Sequence, residues 1–126
     1  MALSLDSVIR YIPEFGGERA KSESNENERP AVFHIRVMGA VAFRAFAAKL
    51  ARLNENEGDF GESVTSLYRE AVSLHVQRIE NLRVDGKAIL DGASFYDHPA
   101  MPNELVMEIE RAVVEANRLS ETNRKN

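Results

Sequence analysis

The chain has 126 residues, which suits one domain with a single hydrophobic core. Sixteen Lys and Arg against twenty Asp and Glu give a net charge of −4, so a general affinity for nucleic acid is not expected. No apolar run approaches the roughly 18 residues of a membrane helix, and the lack of cysteine excludes disulfides and cysteine-ligated zinc. The opening residues lack the basic and apolar stretches of a secretory signal, so we expect a cytoplasmic protein without a membrane partner.

The first thirty residues are predicted to form a short helix followed by a flexible polar arm. Large apolar residues recur at helical spacing and stop at a proline, in the order Leu5, Val8, Ile9, Ile12 and Pro13. Residues 16–30 contain no aliphatic residue larger than alanine and are dense in Glu, Ser and Asn. Such a composition buries too little apolar surface to order itself.

A strand and a helix are predicted next. Residues 32–38 alternate, with Phe33, Ile35 and Val37 on one side, which is the period of a half-buried strand. Residues 40–53 have the period of an amphipathic helix. Its bulky side is expected to face the core, and it comprises Phe43, Phe46, Leu50 and Leu53. Its basic side comprises Arg44, Lys49 and Arg52.

The central part of the chain predicts a second helix and a β-hairpin. The helix covers residues 62–78, and His75 lies within its apolar arc. Because Ala71 and Ile79 occupy the positions one turn away, we interpret His75 as a packed, hydrogen-bonded residue and not as a metal ligand. Residues 79–90 contain Asp85-Gly86 between aliphatic runs, which predicts a two-residue turn with positive φ angles. The hairpin is expected to pair with residues 32–38.

A last long helix is predicted over residues 102–119, after a polar connection. Asp91, Asp97 and His98 in that connection match no known metal-binding spacing and are interpreted as a polar turn. The core stripe of the helix comprises Leu105, Ile109, Ala112, Val113, Ala116 and Leu119. Glu108 with Arg111, and Glu115 with Arg118, are spaced to pair across one turn.

Two surfaces are candidates for partner binding. Met107 and Val114 lie seven residues apart on the side of the last helix away from its core stripe, flanked by Arg111 and Arg118. They are either scattered exposed apolar residues or a contact for another subunit or a client helix. The basic side of the helix over residues 40–53 is either a solvated face or a docking surface for an acidic partner.

These patterns predict an α+β fold that is mainly α. It consists of three long helices, a short N-terminal helix, and a small antiparallel element built from the strand 32–38 and the hairpin 79–90. Residues 1–30 are the short helix and arm, residues 31–119 a single globular domain, and residues 120–126 a polar tail. We find no catalytic constellation, no cofactor motif and no metal-ligand spacing, so a non-enzymatic function is expected.

Three segments together resemble the tail assembly chaperones of long-tailed bacteriophages. The first is YIPEFGGERAKSES ahead of the strand, and the second is VQRIENLRVDGKAIL, where a helix gives way to the Asp-Gly turn. The third is MPNELVMEIERAVVEANRLSETNRKN, a proline-started helix with a polar end. They occur in the order found in that family and together contain 55 of the 126 residues.

The resemblance implies a protein made in the cytoplasm of an infected or lysogenic bacterium. Such chaperones bind and shield the tape measure protein, assist polymerisation of the tail tube protein around it, and are absent from the mature virion. Self-association is possible in such a role. The alternative is a structural minor tail or connector protein of the virion, which would equally lack catalytic residues.

Overall fold

Residues 7–18 and 29–116 are described by a computed structural model. Within these ranges, five strands form two antiparallel sheets, accompanied by four α-helices. In chain order the elements are β1 (Val8–Tyr11), β2 (Val32–Arg36), α1 (Ala40–Ala51), α2 (Phe60–His75), β3 (Val76–Glu80), β4 (Arg83–Val84), β5 (Lys87–Ala88), α3 (Gly92–Asp97) and α4 (Asn103–Val114). A single turn of 3-10 helix lies at Phe15–Gly17.

The larger sheet has the strand order β1-β2-β3, with both pairings antiparallel. Alternation along each strand turns one set of side chains toward the core. One cross-strand row consists of Ile9, Ile35 and Val76, all of which are buried. The strands thus supply one wall of the core, and α2, α3 and α4 supply the other.

The predicted fold is wrong at the N-terminus, where a strand replaces the short helix. Val8–Tyr11 pairs with β2, and the Val37 amide donates to the Ser7 carbonyl at 2.8 Å, which extends the pairing by one residue. The apolar residues that fitted a helical period also fit the alternation of a short strand. Pairing with β2 satisfies the backbone and buries Ile9, whereas an isolated two-turn helix is marginal.

The predicted hairpin over residues 79–90 pairs with β2 only through Ile79 and Glu80, so the prediction that the hairpin joins residues 32–38 as one sheet is wrong. Asn81 has a φ of +62° and separates β3, which pairs with β2, from the two-stranded sheet of β4 and β5. Its side-chain amide donates to the Pro30 carbonyl at 3.0 Å, which fixes the break. The predicted turn is confirmed, because Asp85 and Gly86 join β4 to β5 with φ angles of +51° and +79°.

The boundary between α2 and β3 differs from the prediction. The helix was expected to continue to residue 78, but it ends at His75, and Val76 adopts an extended conformation. Val76 pairs with Ile35 and Ile79 with Phe33, so both side chains enter the core from the sheet. Tertiary pairing therefore overrides the helical period in this segment.

The core is centred on an aromatic pair that joins the sheet to the helices. The rings of Phe33 and Phe95 are both fully buried and meet edge to face, with their centroids 5.1 Å apart. Helix α3 brings Phe95 to this position, and its N-terminus is capped by Asp91, whose carboxylate accepts from the Ser94 amide at 2.8 Å. This hydrogen bond lowers the pKa of Asp91.

The ends of the predicted domain organisation are outside the described residues. These are residues 1–6, most of the arm at 19–28, and residues 117–126, which include Arg118 and Leu119. The boundaries at residues 30 and 119 therefore stay predictions. The described residues 7–18 contribute a strand to the same sheet as β2.

Candidate partner-binding surface

Helix α1 is an apolar helix that lies largely on the surface. Ten of its twelve residues are Ala, Val, Phe or Leu, yet Phe46 is the one residue of α1 that is buried. Phe43 keeps 43% of its surface exposed, Leu50 keeps 37%, and Val41 keeps 74%. An exposed apolar surface of this kind is characteristic of a protein-binding site.

The position of α1 explains why only part of its bulky side is buried. It packs mainly against α2, and the Phe46 ring meets the Tyr68 ring edge to face at a centroid distance of 5.3 Å. Phe43 and Leu50 lie about 40–60° around the helix from Phe46, beyond the contact with α2. The prediction that both face the core is therefore wrong, and Leu53 is only half-buried.

The exposed side of α1 carries a regular stripe, which we call the outer stripe. It consists of Ala40, Phe43, Ala47 and Leu50, all exposed. Their 3-4-3 spacing aligns them along one side of the helix, as in the seam of two packed helices. The sequence pattern identified Phe43 and Leu50 but assigned them to the interior, and it did not single out Ala40 or Ala47.

A small cleft lies between α1 and α2, on the other flank of Phe46. Its volume is about 160 Å³, and it is lined by Met38, Ala42, Ala45, Phe46, Lys49, Leu67, Glu70, Ala71, Leu74 and His75. Small-molecule pockets typically have volumes of roughly 300–1,000 Å³. This cleft therefore suits a side chain of a partner better than a cofactor.

The three predicted basic residues of α1 are all exposed. Lys49 lies 3.9 Å from the Glu70 carboxylate, and both side chains are more than half exposed, so this pair contributes little stability. Among the described residues, neither Arg44 nor Arg52 forms an ion pair. Their charges are thus available to a partner.

The predicted second stripe on the last helix is only partly exposed. Met107 keeps 50% of its surface exposed, and Arg111 is exposed one turn further along α4. Val114 is half-buried and packs against the core, whereas Arg118 lies outside the described residues. Met107 and Arg111 line a shallow cleft of about 410 Å³ together with Glu14, Phe15, Glu104 and Glu108.

Glu108 has a role that the sequence did not indicate. Its carboxylate accepts hydrogen bonds from the Tyr11 hydroxyl at 2.5 Å, the Glu14 amide at 2.8 Å and the Phe15 amide at 3.1 Å. It was predicted to pair with Arg111, but no such ion pair forms among the described residues. We call this set of three hydrogen bonds the Glu108 clasp. Its partners are more than ninety residues away in the chain, so no local sequence signal exists for it.

Tyr96 makes a second link between elements. Its hydroxyl donates to the Glu110 carboxylate at 2.7 Å and so connects α3 to α4. Burial raises the pKa of Tyr96, and the hydrogen bond to Glu110 raises it further. The phenol therefore stays protonated, and its contribution is structural.

His75 is buried and hydrogen-bonded, as predicted. Its Nδ1 lies 3.0 Å from the Arg36 carbonyl, to which the protonated nitrogen donates. Burial lowers the pKa of His75, and this effect outweighs the hydrogen bond, which raises it. The nearby charge of Arg36 also lowers the pKa. The imidazole is therefore neutral at pH 7 and joins the end of α2 to the end of β2.

We expect the lowered pKa of His75 to make the fold less stable in mild acid. The unfolded chain takes up a proton on His75 near pH 6.5, whereas the folded protein does so only at lower pH. The free energy of unfolding should fall as the pH drops from 6.5 toward the folded pKa, and this contribution should be constant above 6.5. Urea denaturation across this range, in the wild type and in His75→Asn, measures the effect. The variant keeps an N–H donor but does not titrate, so an equal pH dependence in both proteins would contradict the assignment.

The connection after residue 90, which was predicted as a polar turn, forms the short helix α3 at Gly92–Asp97. Asp91 caps α3, Asp97 accepts from Arg69 Nε at 2.9 Å, and His98 Nδ1 accepts from the Ala100 amide at 3.1 Å. Each group thus has its own partner. Within residues 7–18 and 29–116, no three His, Asp or Glu side chains are grouped so that they could hold a metal ion.

Comparison of the chain with protein-family models, curated proteins and solved structures found no match. In the part of the chain that the structure describes, no helix combines the length and apolarity needed to cross a membrane. The function is therefore inferred from the resemblance in the sequence and from the chemistry of the exposed surfaces.

Proposed function

We propose that this protein is a non-enzymatic assembly chaperone of a long-tailed phage or prophage. In this role it binds and shields the tape measure protein in the host cytoplasm, assists polymerisation of the tail tube protein, and leaves before the virion is complete. The resemblance of three ordered sequence segments to that family supports the proposal. The observation that carries it is the outer stripe of α1, an apolar surface with the spacing of a helix-packing seam.

The size of the outer stripe suits a reversible contact. Full burial of a Phe or Leu side chain contributes about 1.5–3 kcal/mol, and Phe43 and Leu50 are already partly buried in the free protein. One such contact would be weak, but copies bound along a long helical client would shield it collectively. Because each contact is weak, the client can be released when the tube protein replaces the chaperone.

Co-expression with the tape measure protein tests the proposal. The gene order expected from the resemblance places a tube protein upstream and a tape measure protein downstream. We expect the wild type to increase the soluble yield of that tape measure protein, and Phe43→Ser with Leu50→Ser to reduce this effect about tenfold, since the loss of apolar contact approaches 1.4 kcal/mol. Leu90→Ser is the matched control, because Leu90 is 63% exposed but distant in sequence from α1.

The outcomes separate the candidate functions. If the wild type does not increase soluble tape measure protein, the chaperone proposal is wrong. If the protein remains in purified virions, it is a minor tail or connector protein, for which the outer stripe would be a permanent contact. Met107→Asp examines the α4 surface separately, because Met107 is half exposed and its replacement leaves the core intact.

A further inference from the structure

The unpaired Arg44 beside the outer stripe indicates what its occupant looks like. We infer that the outer stripe binds an amphipathic helix that carries acidic residues along the edge of its own apolar stripe. This inference rests on the proposed function, because it describes the part of the client that is recognised. It follows from the spacing of the stripe, from the positive charge next to it, and from the exclusion of other occupants.

The spacing favours a helix over an extended segment. Ala40, Phe43, Ala47 and Leu50 follow the 3-4-3 repeat with which helices pack side by side. The two alanines alternate with the two large side chains, which leaves depressions for knobs of a partner helix. The stripe is about 15 Å long, so it accommodates about three turns of the partner.

The positive charge next to the stripe selects acidic partners. Residues 32–53 contain four basic residues and no acidic residue. Arg44 lies four residues after Ala40 and three before Ala47, so it borders the stripe directly. Arg52 lies two turns further along, on the side of α1 opposite the stripe, so it does not border the contact. An acidic side chain at the facing edge of the partner would meet the Arg44 guanidinium, and Arg binds carboxylates with two parallel hydrogen bonds.

A second copy of this chain fits the surface poorly. Two α1 helices packed through their outer stripes would place the Arg44 of each copy at the edge of the contact, and α1 contains no carboxylate to pair with either. Helix α4 is acidic, but its apolar stripe is buried in its own core, and Glu108 is already bound to three donors. In a second copy, α1 therefore lacks acidic residues and α4 lacks a free apolar stripe, so neither helix has both features.

A membrane surface is also a poor occupant. Helices that lie in the lipid interface bury a wide apolar face. On α1 only Phe43 and Leu50 are large on the exposed side, and Arg44 separates them from Val41. If Val41 and Phe43 were both inserted into lipid, the Arg44 charge between them would also enter the apolar layer.

Designed peptides of about 18 residues, long enough to form a helix, test the inference by fluorescence anisotropy. Three peptides share one Leu and Ala stripe and carry Glu, Gln or Lys beside it. We expect the Glu peptide to bind at least tenfold more tightly than the Gln peptide, and the Lys peptide to bind most weakly. Raising the salt from about 0.1 M to about 1 M, which shortens the Debye length from roughly 10 to 3 Å, should remove most of the difference.

Variants of α1 assign the effect to individual side chains. Arg44→Gln should bind the Glu and Gln peptides equally, while Arg52→Gln, on the opposite side of α1, and Arg83→Gln, an exposed arginine of β4, should behave as the wild type. Phe43→Ser with Leu50→Ser should lose all three peptides. Circular dichroism checks that each variant is folded, which we expect because none of these side chains is buried.

Three other outcomes overturn the inference, and a fourth separates it from the proposed function. Equal binding of the three peptides would show that charge does not select the client, while the co-expression result would stand independently. A failed co-expression experiment with selective binding of the Glu peptide would reject the chaperone function but not the helix preference. Dimerisation of the wild type that is lost in Phe43→Ser with Leu50→Ser would make a second copy the occupant. Tighter binding to phosphatidylserine vesicles than to the Glu peptide would make it a membrane.

Discussion

Replacing Gly92 with alanine is expected to lower the free energy of unfolding by about 3 kcal/mol, near the upper end of the cost of overpacking a core. Gly92 is the first residue of α3 and is buried against the end of α2. A Cβ atom at this position would lie 2.4 Å from the Val72 carbonyl oxygen and 3.0 Å from Val76 Cβ. The first neighbour is backbone, which cannot rotate away, so α3 would have to move and take Phe95 with it.

The matched control is Gly61→Ala near the start of α2. A Cβ atom at Gly61 would meet nothing within 4 Å, and alanine stabilises a helix relative to glycine by roughly 0.5–1 kcal/mol. Urea denaturation should therefore move the midpoint in opposite directions for the two variants. Equal stability of Gly92→Ala and the wild type would mean that α3 and α2 are not in close contact in solution.

Local patterns in the sequence correctly predicted the positions of several elements. The helical period of residues 40–53 corresponds to α1 at Ala40–Ala51, because alanine has the highest helix propensity and no glycine or proline interrupts the segment. The last helix begins at Asn103, directly after Pro102, where the proline was expected to start it. The Asp85-Gly86 turn follows from the positive φ angles that only a few residue types adopt readily. In each case the decisive interactions lie within a few residues.

Elements whose state depends on distant partners were not predictable in this way. Val8–Tyr11 is a strand because β2 lies beside it, and the intervening residues of the sequence do not signal that pairing. The hairpin is divided at Asn81, whose side chain donates to the Pro30 carbonyl, a residue about fifty positions earlier. The sheet topology therefore required information that no local period contains.

The sequence predicted the large apolar residues of the candidate site, but it did not predict that they are exposed. The sequence pattern identified Phe43 and Leu50 as one apolar side of a helix, and periodicity alone assigns such a side to the core. Their exposure follows from the place of α1 at the margin of the fold, where α2 covers Phe46 and nothing described covers its neighbours. A helix that is richer in apolar residues than its contacts require indicates a partner.

Removing the Glu108 carboxylate is expected to destabilise the fold by about 2 kcal/mol, because hydrogen bonds to a charged group contribute roughly 1.5–3 kcal/mol and are not additive. Glu108→Ala would leave the Glu14 and Phe15 amides and the Tyr11 hydroxyl without their acceptor. Water can replace part of the loss at Glu14, which is exposed. The N-terminal segment should then exchange its amide hydrogens faster than the rest of the sheet.

Two further variants distinguish the clasp from a general effect of removing a charge. Glu104 lies one turn earlier on α4 and is exposed. Glu104→Ala should therefore lower the free energy of unfolding by about 0.5 kcal/mol, because it removes a favourable interaction with the helix dipole. Tyr11→Phe removes one of the three donors and should cost about 1 kcal/mol. Urea denaturation gives the stabilities, and hydrogen exchange at Ile9, Glu14 and Phe15 reports the local opening. If Glu108→Ala matched Glu104→Ala in both measurements, β1 would be held by its pairing with β2 and by Ile9 alone, and the carboxylate would contribute nothing to its position.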